Sequence, residues 1–244
     1  MDFIGTAEPM TLAGLRQAAN LIRCDAAAVL AVIDVETSGC GFLPDRRPQI
    51  LFERHIFHRE TGGAFDFPAP DISSPVPGGY GAAGAAQYDR LAKAIRIDRN
   101  AAMRSTSWGI GQIMGFNSTL VGYSDTDAMA ADFANSEDAQ LLAVAEFCRR
   151  RGLGDELREK RWADFAYVYN GPRHGQYNYA GKLAVAYERH ANGPAIDMAL
   201  RAAQVRLMFA GLYSARIDGI DGPATRTAMA AAAERDIDIW YQPA

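Results

Sequence analysis

Three short segments carry the residue types that could do chemistry. In Val35-Glu36-Thr37-Ser38-Gly39, Glu36 sits on the apolar side of a helical pattern, in register with Val29, Val32 and Ile33. Gly39 predicts the end of that helix about one turn later. Burial disfavours a charged carboxylate, and so does the negative end of the helix dipole. Both effects raise the pKa, which suits a general acid working near neutral pH. Taken alone, the segment reads more plainly as a helix end whose glutamate meets solvent or an arginine. In the second segment, Ser105 to Gly115, glycines at 109, 111 and 115 break regular helix and let backbone approach a ligand. Trp108 offers a flat face for a sugar ring, while Ser107 and Gln112 offer hydrogen bonds. The third, Phe165 to Pro172, places Tyr169 and Asn170 just before a helix break, where their polar ends could line a groove. A glycine turn with a core tryptophan, and a helix end with core aromatics, are the plainer readings of these two.

The elements that must hold these residues are mostly helices. Thr11 caps a pattern through Leu12, Leu15, Ala19 and Ile22, and Asp25 caps the helix that carries Glu36. Helical patterns recur at roughly 84–97, 136–151 and 177–191. Four prolines and three glycines between Asp66 and Gly81 predict a long surface loop. β structure is expected to be minor, a hairpin near 41–60. Asn192-Gly193-Pro194 marks a boundary, followed by an alanine-rich helix near 195–210 and another that opens at Pro223.

Composition excludes several classes. With 244 residues, 49% hydrophobic and 22% charged, the chain can bury a core without staples and is too apolar for disorder. A net charge of −4 argues against binding nucleic acid or anionic membrane by charge alone. Cys24, Cys40 and Cys148 cannot all pair and show no metal-knuckle spacing. His55 and His58, three residues apart with no further close ligand, read better as structural histidines than as a metal pair. The run from Ala26 to Val35 is too short to span a bilayer. The first ten residues lack the pattern of a secretory signal. The expectation is a chain made in the cytoplasm without a signal.

In order and spacing, Ala31 to Gly39, Gly41-Phe-Leu, Arg47 to Phe57, Arg104 to Gly115 and Tyr169-Asn-Gly171 resemble the phage-endolysin type N-acetylmuramidases of the lysozyme-like superfamily. The resemblance spans roughly residues 10–190 and implies a mainly α, goose-type or lytic-transglycosylase-like catalytic domain over 1–192, with a small β element. It further implies cleavage of the β-1,4 bond between N-acetylmuramic acid and N-acetylglucosamine in peptidoglycan. Glu36 matches the family's catalytic glutamate. For the base of an inverting reaction, Glu53, Glu60, Asp45 and Asp98 are candidates, with Glu53 preferred for its place in Phe-Glu-Arg-His. Ser107, Trp108, Gln112, Tyr169 and Asn170 are the expected substrate-binding residues. A single-glutamate transglycosylase and a non-catalytic wall-binding protein are the alternatives on the same fold. No metal or organic cofactor, no nucleic acid and no membrane insertion are expected. The partner is the glycan strand, met by a monomer that acts on the wall after release from the host bacterium.

From Ala203 to Thr225, including Asp218-Gly-Ile-Asp-Gly-Pro-Ala-Thr225, the chain resembles the small helical peptidoglycan-binding module. Ala230 to Ala233 replaces that module's usual aromatic-Gln ending. Residues 195–244 are therefore expected to be a wall-binding module with a degenerate ending; the other reading is a helical appendage packed on the catalytic domain.

Overall fold

The computed structural model describes residues 2–37, 39–171 and 174–239. Ser38 and Pro172, each part of a segment singled out above, lie outside the described residues. Twelve α-helices of the described chain surround one small sheet.

The central helix is α2, Ala26–Thr37, which follows α1, Leu12–Ile22. Thr11 caps α1 by accepting from the Gly14 N–H, and Asp25 accepts from Ala28 at 2.8 Å. Val29, Leu30, Val32 and Ile33 are all buried, so α2 is apolar nearly all round and runs through the interior. It packs chiefly against α10, Tyr179–Asn192, while α1 packs on α7, Glu137–Arg150. Leu141, Val144, Phe147, Phe165 and Leu183 complete the same apolar core.

The sheet joins β1, Ile50–Phe52, to β2, Thr106–Trp108, and β2 to β3, Ile113–Met114, antiparallel throughout. This corrects the hairpin expected near 41–60. That stretch holds one isolated bridge, Phe42 with Pro48, and residues 54–60 form the helix α3. The hairpin is instead 106–114, because the glycine turn reverses the chain there and leaves β2 free to pair with β1. The long loop is not purely superficial either: Ile72 and Ser73 within it are fully buried.

Helices α4, Ala86–Ile95, and α10 lie close to their expected bounds. The short helices α5, Arg99–Arg104, and α6, Thr126–Asn135, were not foreseen; Asp98 and Asp125 cap them. Helices α8, Gly154–Arg158, and α9, Trp162–Tyr169, lead back to the core.

After the boundary come α11, Met198–Phe209, and α12, Pro223–Glu234. Their Val205, Leu207, Ala228 and Ala232 share a second apolar cluster with Cys40 and Phe42. Arg201 of α11 is buried and pairs with buried Glu137 of α7 at 2.7 and 3.1 Å. The C-terminal helices are thus packed on the body of the protein. All three cysteines are free thiols.

Candidate active site

Glu36 occupies the last turn of α2, whose end is fastened from two sides. The Thr37 hydroxyl lies 3.1 Å from the Ile33 carbonyl and 3.0 Å from that of Ile110, tying the helix to the glycine turn. Beyond it, Gly39 has φ +91°. Its carbonyl accepts from Arg201, and the N–H of Gly41 donates to Glu137 at 2.8 Å. Asn170, the residue that closes α9, donates its side-chain N–H to Glu36 Oε1 at 2.7 Å.

Burial pushes the Glu36 pKa up from 4.5 to about 7. The Asn170 hydrogen bond and the charge of Lys182 pull the other way without cancelling it. The direction agrees with the sequence expectation.

A cleft of about 390 Å³ opens beside this pair, lined by Leu51, Glu53, His55, Tyr80, Asn170, Tyr177 and Tyr179. Glu53 is the N-cap residue of α3, but its side chain caps nothing. The carboxylate meets His55 Nδ1 at 3.0 Å instead. Tyr179 lies within electrostatic reach of both acids: burial raises its phenol pKa, and the charges of Glu36 and Glu53 add to the effect.

The other three candidate bases are engaged elsewhere. Glu60 pairs with Arg104 at 2.7 Å, Asp45 with Arg47 at 2.5 Å, and Asp98 caps α5 through the Ala101 N–H. Of the four, Glu53 alone lines the cleft that contains Asn170. His58 pairs with Asp66 at 2.7 Å, apart from His55.

The glycine turn serves the site from behind. Gly109 has φ +71°, and a Cβ on Gly111 would fall 2.1 Å from Val144. Gln140 of α7, fully buried, accepts from the Ile110 N–H at 2.7 Å and donates to the Phe133 carbonyl. Ser107 donates to Gln112 Oε1 at 2.8 Å, and Gln112 donates to the Gly109 carbonyl at 2.9 Å. Their polar groups close the turn on itself. Trp108 corrects the expectation of a sugar platform: it is fully buried, packs against Phe3, and donates its indole N–H to Met103. A large flat ring gains more from the core than from the surface, and its one polar atom finds a backbone partner. Tyr169 is likewise drawn inward, stacked on Phe165 and bonded to the Gly111 carbonyl at 2.8 Å. Its ring holds α9 to the turn, and so sets the position of Asn170.

Sequence reasoning missed Tyr80, Tyr177 and Tyr179 as cleft residues. Tyr177 and Tyr179 closely follow Tyr169-Asn170, so a run of aromatics was the available signal. Tyr80 ends a proline-rich loop and gave none. Among the described residues no group of three His, Cys, Asp or Glu is placed to hold a metal, and no helix is long and apolar enough to cross a membrane.

The N-acetylmuramidase family model matches residues 25–191. The crystal structure of the Burkholderia AP3 phage endolysin is similar at 41% identity. That match covers 77% of this chain and 73% of the other, with a TM-score of 0.69. No curated protein matches.

Proposed function

The chain belongs to the N-acetylmuramidase family of lysozyme-like glycoside hydrolases, whose substrate is peptidoglycan, and from that premise we propose the bond and the chemistry. The bond is the β-1,4 linkage between N-acetylmuramic acid and N-acetylglucosamine. Glu36 is the proton donor. The observation that carries this reading is a carboxyl raised by burial to about pH 7, its Oε1 held by Asn170 at the edge of an open cleft.

At neutral pH a substantial fraction of Glu36 is protonated, and that proton passes to the glycosidic oxygen as the bond to the departing sugar breaks. Asn170 orients the carboxyl and stabilises the carboxylate left behind. Glu53 is the proposed base: it takes a proton from a water that attacks the opposite face of the oxocarbenium-like sugar. Inverting enzymes keep the two carboxyls about 6.5–9.5 Å apart to admit that water. Tyr179, sensitive to both charges, supports the assignment of Glu53 and Glu36 to one site. Ser107, Gln112 and Tyr169 act indirectly, by holding the turn and Asn170 in place. In the same reading residues 1–192 form the catalytic unit, and α11 and α12 of the C-terminal module brace it.

Mass spectrometry of digested peptidoglycan tests the proposal. The expected fragments are reducing muropeptides that end in intact N-acetylmuramic acid. Anhydro-muramic ends, lighter by one water, would mean that the sugar's own C6 hydroxyl attacks and Glu53 is not needed. Fragments reducing at N-acetylglucosamine would overturn the bond assignment. No soluble fragments would favour a wall-binding role.

A further inference from the structure

A second groove, of about 430 Å³, runs from the end of α2 along the exposed face of α10. Lys182, Val185 and Arg189 form its wall on α10, Asp34 and Val35 come from α2, and Arg216 comes from the C-terminal segment. Its charge is lopsided, with three cations against one acid. That acid is already satisfied. Burial opposes its charge, but His190 at 2.5 Å and Arg216 at 2.6 Å outweigh this and hold Asp34 below the usual carboxylate range. Arg189 reaches it at 3.2 Å while its side chain stays 42% exposed. The surplus positive charge therefore faces solvent, in a chain that is acidic overall.

The groove adjoins the region of the proposed catalytic carboxyl: Val35 is the residue before Glu36, and the Lys182 charge acts on Glu36. Seven residues at about 1.5 Å rise separate Lys182 from Arg189 by about 10 Å, the reach of about three extended peptide residues. Val185, 63% exposed between them, offers an apolar contact for a small side chain.

We propose that this groove binds the carboxylate-bearing peptide that branches from the lactyl group of muramic acid, so that the protein reads peptide as well as sugar. The inference rests on the muramidase reading of the neighbouring cleft. A glycan strand lying in that cleft directs the lactyl branch outward from the sugar ring, and the adjacent cationic wall supplies partners for free carboxylates along a peptide of this length.

Two soluble substrates test it: glycan strands that carry their peptides, and the same strands stripped of them by an amidase. The wild-type protein is expected to favour peptide-bearing strands by about fivefold in kcat/KM, mostly through KM, and to lose that preference between about 50 and 500 mM salt. Arg189→Gln should lose about fivefold more on peptide-bearing than on stripped strands, and Arg189→Lys should recover most of it. Because Arg189 also touches Asp34, Val185→Glu provides a variant outside the ion pairs; the added anion should give the same selective loss. No wild-type preference, or equal losses on both substrates, would overturn the proposal. Cleavage of stripped strands without any peptide effect would leave the muramidase reading standing and remove this one. Cleavage of neither would remove both. Relief of the salt-sensitive preference by a soluble wall phosphate polymer, but not by free peptide, would reassign the groove to phosphate and also overturn it.

Discussion

At the scale of single residues, the site turns on how one glutamate is desolvated. A carboxyl with its pKa at about 7 must be protonated to act as an acid, so activity should fall tenfold per pH unit above about pH 7. The same shift bears on stability. Its pKa is raised on folding, from 4.5 to about 7, so the folded protein keeps a proton that the unfolded chain gives up. Stability therefore declines as pH rises between those values, and the cost levels off above pH 7 at about 3 kcal/mol. Glu36→Gln removes both the acid and this cost. The variant is expected to lose about 10²-fold or more in rate, yet to melt higher than wild type at pH 8 and equally at pH 4. Thermal denaturation at the two pH values checks it; a variant no more stable at pH 8 would show that Glu36 is not buried at a cost.

At the scale of elements, Glu137 and Arg201 join four segments: α7, α11, the stretch at Met10 and the turn from Gly39 to Gly41. Glu137 accepts from the Met10 and Gly41 N–H groups as well as from Arg201, and Arg201 also donates to the Gly39 carbonyl. This pair anchors the chain just beyond the end of α2. Arg201→Met would strand a buried carboxylate with only two backbone donors, at a cost of about 3–5 kcal/mol. Replacing both partners, as Glu137→Gln with Arg201→Met, should cost clearly less, because no buried charge remains. Urea denaturation of the two variants and the wild type makes the comparison. Equal losses would mean that the ion pair is not what holds α11 to α7.

At the scale of the whole molecule, the C-terminal helices are part of the folded body. Phe209 packs edge-on against Phe42, Arg216 grips Asp34 on α2, and the second apolar cluster draws on both sides of the Asn192-Gly193-Pro194 boundary. A chain ended at Asn192 would expose that cluster and leave Glu137 unpaired. Calorimetry should accordingly show one cooperative transition for the full chain and a markedly less stable, poorly active protein for the truncated one. Two separate transitions, or a truncated chain of full activity and stability, would instead mark an independent module.

Much of this was legible before folding. Glu36 stood out because helical spacing and a following glycine are local signals, and α2 does end at Thr37, two residues before Gly39. The caps at Thr11 and Asp25, and the helix opened by Pro223, are local in the same sense. The pairing of β1 with β2 was not legible, since residues 50–52 and 106–108 are far apart in sequence and meet only in the tertiary fold. Nor could the sequence say that Trp108 and Tyr169 turn inward while Tyr80 and Tyr179 reach the cleft, because an aromatic ring suits either place and only packing chooses. The same holds among the acids. Glu53, Glu60, Asp45 and Asp98 are alike as letters; ion pairs and a helix cap hold three of them away from the cleft, and the fourth, beside His55, faces it. The chain's local patterns marked several of the helices, α1, α2 and α10 among them, and one carboxyl that could act as an acid. Tertiary structure decided what surrounds each group, because desolvation and charge pairing depend on neighbours distant in sequence.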